Sequence, residues 1–297
     1  MDARGPGKKL RIVRRVGLSA LLLLALITLP MAIPGVADRL VLFPSTAPTD
    51  AMGASRRETP FEGGVIEMWT ARSPRDARGG SPALRVLSFE GNASRAEWSA
   101  SPDSHLWGDV PVEIWSVNYP GYGGSTGPAR LARLPAAALA AYDALAREGA
   151  GGPIVVNGSS LGSALALYVA TRRPVAGLLL RNPPPLQDLI LSPRFGWWNL
   201  WIGAWIVAGK VPREMNSRLN APRVGVPAAF VLSTSDEIVP PAYQRRIVDA
   251  YAGEKVSFLL RDATHNAAFD GSHREELQAA CAWLWQRCAP QRAQPLF

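Results

Sequence analysis

Short runs of apolar and β-branched residues recur along most of the chain, separated by polar or helix-forming segments. Such runs are typical of strands in a sheet that is covered on both faces, because both sides of each strand are then buried. The runs that we predict to be strands are Val65–Thr70, Leu84–Phe89, Val112–Val117, Ile154–Val156, Gly177–Leu180, Ala228–Ser233 and Val256–Leu260. Residues 44–60 and 71–82 are rich in Pro, Ser, Gly and Arg and are predicted to be loops.

Helix-forming stretches lie between these strands. They are Ser94–Ala100, Pro135–Glu148, Ser160–Thr171, Pro241–Ala252 and Ser272–Cys288. Alternation of strands and helices predicts an α/β fold, in which helices cover both faces of a mostly parallel central sheet. We predict that residues 38–297 form this domain. Reactive side chains at the carboxyl ends of its strands are the first candidates for a site, since ligands bind there in such sheets.

A basic segment and a long apolar run open the sequence. Residues 1–15 contain six basic residues, and Val16–Ile33 contains no charge. A helix of that length spans about 27 Å, close to the thickness of a bilayer core. We therefore predict a cytoplasmic tail over 1–15 and a transmembrane anchor over 16–35, with the rest of the chain periplasmic or extracytoplasmic. The alternative is a signal peptide cleaved near Gly35–Ala37, which would give a secreted protein.

Composition narrows the range of functions. Hydrophobic residues make up 47% of the chain and charged residues 19%, which excludes a mostly disordered protein. The net charge of +8 is concentrated in the N-terminal tail, so it does not favour nucleic-acid binding. The sequence shows no His, Cys and Asp spacing of the kind that binds metals, and we predict neither a metal nor a cofactor.

One serine lies where a predicted strand passes into a predicted helix, within IVVNGSSLGSALALYVA at residues 154–170. Ser160 occupies the centre of a G-x-S-x-G pattern and precedes the helical run that starts at Leu161. This arrangement is typical of a nucleophile elbow, a sharp turn that lifts a hydroxyl above the sheet. Gly158 and Gly162 would leave room for the neighbouring strand and helix. We predict that Ser160 is a nucleophile.

Two other serines compete with Ser160. Ser125, in GGSTG, fits the same pattern, but Pro128 follows closely and no helical run begins there. Ser159 occupies the first variable position of the pattern and is not at its centre. Context therefore favours Ser160.

A serine nucleophile needs a base and a group that orients the base. His265 follows a predicted strand and lies at the carboxyl edge of the sheet, whereas His105 precedes a strand and His273 begins the last helix. Asp236 also follows a predicted strand, and the adjacent Glu237 could substitute for it. We predict His265 as the base and Asp236 as the acid.

The predicted nucleophile, acid and base occur along the chain in the order Ser160, Asp236, His265. In this order the sequence resembles the α/β-hydrolase superfamily of serine hydrolases. It is most similar to the membrane-tethered branch that contains serine-aminopeptidase-like and abhydrolase-domain proteins. The motifs that carry the resemblance, over about residues 38–288, are DRLVLFPS, SFEGNAS, NYPGYGGSTG, NGSSLGSALAL, NPPPLQDL, SDEIVP and THN. The resemblance implies an oxyanion hole formed by the backbone N–H groups of Leu161 and Asn92.

The resemblance has one chemical departure. Members of the family usually carry His-Gly before the oxyanion residue, and this chain carries Glu90-Gly91. A carboxylate directed at the oxyanion would repel it, whereas one directed away could hold the loop by hydrogen bonds. Two functions stay open: a serine hydrolase that cleaves an ester, thioester or amide through an acyl-enzyme, and a catalytically weak or inactive relative that acts as a membrane-tethered binding protein.

The segment 183–227, after the strand at Gly177–Leu180, is the usual place for a cap in this fold. Its uncharged part contains Trp197, Trp201 and Trp205, whose spacing places them on one helical face. That face is either part of a buried cap helix, or an apolar pocket or membrane-dipping surface. We predict that these tryptophans and Tyr122, in the glycine-rich turn, contact an apolar, lipid-like small-molecule substrate.

Overall fold

The computed structural model of the protein describes residues 6–33, 35–74, 80–148, 152–192, 201–268 and 271–289. Its strands are β1 (Ser55–Phe61), β2 (Gly64–Arg72), β3 (Leu84–Phe89), β4 (Val112–Val117), β5 (Ile154–Ser159), β6 (Gly177–Arg181), β7 (Ala228–Ser233) and β8 (Lys255–Leu260). They form one sheet in the order β1-β2-β4-β3-β5-β6-β7-β8.

The sheet is parallel except at one end. β2 pairs antiparallel with β1 and with β4, and every pair from β4 through β3 to β8 is parallel. The register places Phe89, at the end of β3, opposite Gly158 of β5. The loops that follow β3, β5, β6, β7 and β8 therefore converge at one edge, where sites form in such sheets. The predicted fold class is confirmed.

Helices cover both faces of the sheet. They are α1 (Pro6–Ala32), α2 (Val36–Val41), α3 (Ala96–Ser104), α4 (Leu134–Glu148), α5 (Leu161–Arg172), α6 (Leu186–Leu191), α7 (Trp201–Gly209), α8 (Ser217–Asn220), α9 (Pro241–Ala250) and α10 (Gly271–Cys288). One buried apolar cluster joins the sheet to α4, α5 and α9, and a second joins the opposite face to α10. This is the layered arrangement that alternating strands and helices predict.

Side chains along β6 show how the sheet separates the two clusters. Leu178 and Leu180 pack in the cluster beneath α4 and α5, whereas Leu179 packs beneath α10. Successive side chains of a strand point to opposite faces, so a strand covered on both sides is apolar throughout. Each fully buried leucine contributes about 1.5–3 kcal/mol relative to an exposed one.

β1 and the end of β2 contradict the sequence prediction. β1, Ser55–Phe61, lies mostly within residues 44–60, which were predicted to be a loop, and β2 extends to Arg72, into the second predicted loop. β1 is an edge strand with a mostly exposed surface and a polar sequence, SRRETPF. Edge strands have one open side and tolerate charge and proline, so β1 lacks the apolar pattern by which a buried strand is found.

The N-terminal helix α1 leaves most of its apolar surface uncovered. Its segment Leu10–Ala32 is long and apolar enough to cross a membrane. Leu21 and Leu26 are 65% and 71% exposed, while Thr28 and Met31, near the C-terminal end, are buried. A signal peptide shares this composition, so the anchor over 16–35 stays a prediction.

The chain between β6 and β7 forms α6, α7 and α8, in the segment 183–227 that was predicted to be a cap. α7 packs against α6 and also contacts α1 and α2. Trp197 lies outside the described residues, and Trp201 is described by its backbone alone. Trp205 lies on α7 and is 63% exposed.

Candidate active site

The turn between β5 and α5 has a strained backbone at Ser160. This residue has φ 49° and ψ −118°, in a region that L-residues with a side chain rarely adopt. The Ser160 N–H donates to the carbonyl of Arg181 at 2.8 Å, and the Ser160 carbonyl accepts from the N–H of Ser163 at 2.9 Å. These bonds hold the turn, and the Ser160 side chain lies at the carboxyl edge of the sheet.

Two glycines permit this turn. A Cβ atom on Gly158 would lie 2.6 Å from the carbonyl oxygen of Gly162, and one on Gly162 would lie 2.0 Å from the carbonyl oxygen of Phe89. Both contacts involve backbone atoms, which cannot move aside as the end of a flexible side chain can. The absence of side chains at these positions lets α5 pass directly over the ends of β3 and β5.

The three side chains predicted from the sequence meet at this turn. His265 Nε2 lies 3.0 Å from Ser160 Oγ, and His265 Nδ1 lies 2.7 Å from Asp236 Oδ2. The Asp236 carboxylate is fully buried, and 10% of the His265 side chain is exposed. With a proton on Nδ1, donated to Asp236, Nε2 presents a lone pair to the Ser160 hydroxyl.

The Asp236 carboxylate is held by donors on every side. Oδ1 accepts from the N–H groups of Ile238 and Val239 at 2.9 and 2.7 Å. Oδ2 accepts from Gln244 Nε2 at 3.1 Å in addition to His265. A buried carboxylate is stable only when it is hydrogen-bonded in this way, so these partners fix the orientation of the imidazole.

Gln244 was not among the site residues predicted from the sequence. It lies on α9, is fully buried, and also donates to the carbonyl of Val239 at 2.7 Å. One signal was available: Gln244 lies three residues before the buried Ile247, so an amide occupies the apolar face of the helix.

The loop after β8 positions the histidine. The Thr234 and Ser235 N–H groups donate to the carbonyls of Leu260 and Ala263 at 3.0 Å each. Glu237, the alternative acid, instead accepts from the backbone N–H of His265 at 3.2 Å. A hydrogen bond from its own backbone N–H, followed by the bond from His265, lowers the pKa of the Glu237 carboxyl. Glu237 therefore contacts the loop that carries the base, while Asp236 contacts the ring.

The loop after β3 places Asn92 beside the serine. The Asn92 side chain accepts from the Phe43 N–H at 3.0 Å and the Tyr122 hydroxyl at 2.8 Å, and it donates to the carbonyl of Val41. Leu161 is the first residue of α5, where N–H groups have no partner within the helix. Asn92 and Leu161 both line the cavity that contains Ser160.

A cavity of about 850 Å³ opens above the serine and histidine. Its apolar lining residues include Leu40, Val41, Leu186, Leu189 and Val239. This volume is within the usual range of small-molecule sites.

Within the described part of the chain, Tyr122 and Trp205 are not among the residues that line this cavity. Tyr122 is buried beneath Asn92, and Trp205 lies on the outside of α7. The structure therefore does not bring these two side chains into the cavity that contains Ser160.

Glu90 points away from this cavity. Its Oε1 accepts from the hydroxyls of Ser88 and Ser99 at 2.9 and 2.6 Å, on the side of the sheet covered by α3. Glu90 lines a second, smaller cavity together with Asp103 and Arg181. The carboxylate therefore holds the loop and does not face the space beside Ser160 Oγ.

The carboxyl groups of Glu90 and Asp103 both line this second cavity, together with the guanidinium group of Arg181. Burial raises the pKa of Glu90, although the hydroxyls of Ser99 and Ser88 and the charge of Arg181 oppose the shift. Burial and the neighbouring Glu90 raise the pKa of Asp103 to about 7, against the influence of Arg181. Burial lowers the pKa of Arg181, and the two carboxyl groups oppose that shift.

The competing serines have other partners. Ser125 Oγ donates to the carbonyl of Asn118 at 2.7 Å and accepts from the N–H of Glu67 at 2.8 Å, so it ties the glycine-rich turn to β2. Ser159 Oγ accepts from Arg181 Nε at 3.0 Å. Ser160 is the serine that the structure places next to His265.

Solved structures with this arrangement of strands and helices are α/β-hydrolases. An esterase of Pyrococcus furiosus superposes with a TM-score of 0.64 at 13% identity, over 84% of this chain and 97% of that one. An alpha-beta serine hydrolase homologue from Coxiella burnetii gives 0.54 at 15% identity, over 80% and 99%. Acylaminoacyl peptidase of Pyrococcus horikoshii gives 0.61 at 14% identity, over 82% of this chain and 43% of the peptidase. The chain has the α/β-hydrolase fold.

Among curated sequences, the chain is similar to an uncharacterized protein of Mycobacterium tuberculosis, found in two strains. It is 29% identical over 236 residues, which cover 77% of this chain and 80% of the mycobacterial one. No protein-family model matches the chain.

We expect Gly162→Ala to destabilise the protein, because the added methyl would overlap the Phe89 carbonyl. Overpacking costs about 1–3 kcal/mol or more, which corresponds to a fall in Tm of at least about 3 °C. Gly225→Ala is the matched control, since a Cβ there has no heavy atom within 4 Å. Thermal unfolding followed by tryptophan fluorescence measures both. Equal melting of the two variants would contradict the close crossing of α5 over β3.

We expect the free energy of unfolding of the wild type to decrease as the pH rises from about 4 to about 7, because of Asp103. Its folded pKa, about 7, lies above the usual value near 3.9, so over this range the folded protein keeps a proton that the unfolded chain has lost. Asp103→Asn removes this effect, and its Tm relative to the wild type should be higher at pH 7.5 than at pH 5. A difference in Tm that is the same at both pH values would show that Asp103 does not titrate in this range.

Proposed function

We propose that the protein is a serine hydrolase that cleaves an ester, thioester or amide bond of an apolar or acyl-chain substrate through an acyl-enzyme. The observation that carries the proposal is the continuous hydrogen-bonded line from Ser160 Oγ to His265 and on to Asp236, at 3.0 and 2.7 Å. This is the geometry that nucleophilic catalysis by a serine requires.

In the first half of the reaction, His265 Nε2 takes the hydroxyl proton while Ser160 Oγ attacks the substrate carbonyl carbon. The buried Asp236 stabilises the imidazolium that forms. Nε2 then gives the proton to the leaving alcohol, thiol or amine, and the acyl group stays on Ser160. In the second half, a water molecule repeats the sequence, which releases the acid and restores the serine.

The tetrahedral oxygen needs donors that are in place before the reaction. We assign this role to the backbone N–H groups of Leu161 and Asn92, on either side of Ser160 in the cavity. Loss of one such donor typically lowers kcat by about 10²–10³. The N-terminal end of α5, which begins at Leu161, adds the partial positive charge of a helix N-terminus.

The comparisons support a hydrolase. Two of the proteins with this fold are named an esterase and an acylaminoacyl peptidase, enzymes that cleave ester and amide bonds. The alternative of an inactive binding protein depended on Glu90. Because that carboxylate is turned toward Ser88 and Ser99, the observation that favoured the alternative is gone.

The substrate class follows from the cavity wall and from α1. Part of the cavity wall is apolar, with Leu186, Leu189 and Val239 among its residues, although Arg181 and Glu237 also line the cavity. The N-terminal helix is long and apolar enough to cross a membrane. We infer that the enzyme is anchored with a cytoplasmic N-terminus and an extracytoplasmic catalytic domain, and that it hydrolyses a small apolar or lipid-like substrate.

A panel of p-nitrophenyl esters with increasing acyl length tests the proposal. We expect kcat/KM to rise with chain length and Ser160→Ala to lower it by about 10³-fold or more. Ser125→Ala removes the other serine in the same sequence pattern and should keep activity. Turnover of charged peptides without ester hydrolysis, or full activity in Ser160→Ala, would refute the assignment.

Gln244 is expected to act as a positioning residue through Asp236. Gln244→Leu keeps the volume but removes the donor to Asp236 Oδ2, so we expect kcat to fall by about tenfold with KM little changed. The measurement is steady-state hydrolysis of one ester, with the Tm of the variant as a check on folding. An unchanged kcat in the folded variant would show that the other donors suffice to hold Asp236.

A further inference from the structure

Three of the residues that line the active-site cavity are large, apolar and exposed to solvent, beside the exposed carboxylate of Glu237. Phe43 is 55% exposed, Trp98 43% and Ile238 46%, and all three line the cavity that contains Ser160. We call these three residues the mouth surface. A group of exposed apolar side chains around an opening marks a site of contact with another apolar phase or molecule.

The mouth surface is held in place by hydrogen bonds. The Phe43 N–H donates to Asn92 Oδ1 at 3.0 Å, and Trp98 Nε1 donates to Thr49 Oγ1 at 2.8 Å. The Ile238 N–H donates to Asp236 Oδ1 at 2.9 Å. Phe43 and Ile238 therefore project from backbone that is bonded to residues of the site, whereas Trp98 is held through its ring N–H.

One residue of the mouth surface, Phe43, follows the N-terminal helix closely along the chain. α1 ends at Ala32, α2 follows at once, and Phe43 comes directly after Leu42 at its C-cap. With α2 helical, Ala32 and Phe43 lie within about 25 Å of each other. Leu40 and Val41 of α2 line the cavity, so part of the cavity wall comes from the helix that follows α1.

The C-terminal end of α1 packs against the part of the domain that carries the cavity wall. Met31 of α1 packs in the same buried cluster as Val207 and Ala208 of α7. α7 contacts α6, whose Leu186 and Leu189 form part of the cavity wall. The anchor helix and the cavity wall are thus parts of one packed unit.

The exposed residues near α1 match a lipid headgroup region. Trp205, 63% exposed, lies on α7, the helix that α1 contacts. Arg39 of α2 and Lys210 after α7 are exposed basic residues nearby. Tryptophan favours the membrane interface, and basic side chains attract anionic headgroups.

We propose that the mouth surface docks on the bilayer that holds α1, so that the acyl chain of a membrane lipid enters the cavity directly from the membrane. The occupant is the bilayer and not a second protein, because α2, which lines the cavity, contacts an apolar helix whose own side chains are uncovered. The identity of the substrate as a lipid ester or thioester rests on the proposed hydrolase activity, whereas the docking does not.

Fluorescence of a bimane label tests the docking without any need for catalysis. Phe43→Cys is labelled in the full chain reconstituted in phosphatidylcholine–phosphatidylglycerol vesicles, and Ala252→Cys serves as the control. Ala252 is exposed and lies before β8, at the opposite edge of the sheet. Cys281 and Cys288 are buried, and burial raises the pKa of the Cys288 thiol to about 11, so the native thiols should not react.

We expect the label at position 43 to be quenched by doxyl-labelled lipids and protected from aqueous iodide, and the label at 252 to show the reverse. Equal iodide quenching at both positions would overturn the proposal. Protection at 43 that depends on protein concentration and not on doxyl lipid would also overturn it, in favour of a second copy of the chain.

Kinetics distinguish failure of the docking from failure of the hydrolase. Trp205→Ser should lower the rate on a long-chain ester embedded in vesicles by about fivefold and leave the rate on a soluble short-chain ester unchanged. Equal loss on both substrates would contradict a membrane role for this residue. If the wild type hydrolyses neither ester while the label at 43 is quenched by lipid, the proposed hydrolase fails and the docking stands.

Discussion

The left-handed backbone at Ser160 is the constraint on which the site depends. A residue in such a conformation costs about 1–3 kcal/mol, and the surrounding structure has to over-determine it. Here the over-determination comes from the bond between the Ser160 N–H and the Arg181 carbonyl, from Ser163 Oγ bonded to the Gly158 carbonyl at 2.8 Å, and from the two glycines that let α5 cross the sheet. Because the turn is rigid, Ser160 Oγ lies at 3.0 Å from His265 without any adjustment of either side chain.

The loops around this turn form a connected unit. Asn92 binds the backbone of Val41 and Phe43, so the loop that we assign to the oxyanion is joined to the segment after α2. On the other side of the sheet, Glu90 and Arg181 belong to a buried group of charges behind the elbow. The end of α2 and the loop that we assign to the oxyanion are therefore held together beside the cavity.

The sequence predicts much of this architecture because the relevant signals are local. Buried parallel strands are continuous apolar runs, and the elbow joins a strand, a small-residue turn and a helix within a few residues. β1 has no such signal, since an open edge accepts Arg56 and Arg57 as readily as apolar residues. The bond from Gln244 to Asp236 and the burial of Asp103 beside Arg181 bring together distant elements, which no spacing encodes. Trp205 shows the limit of periodicity: the pattern defines a helical face but not what that face meets.

The most direct test of the account is fluorophosphonate labelling of the full-length protein, with the modified peptide mapped by mass spectrometry. We predict a single phosphonylated residue, Ser160, and loss of labelling in His265→Ala with the fold intact. A label on Ser125 or Ser159, or no label on a folded wild-type protein, would contradict the claim that the line from Ser160 to Asp236 activates this serine.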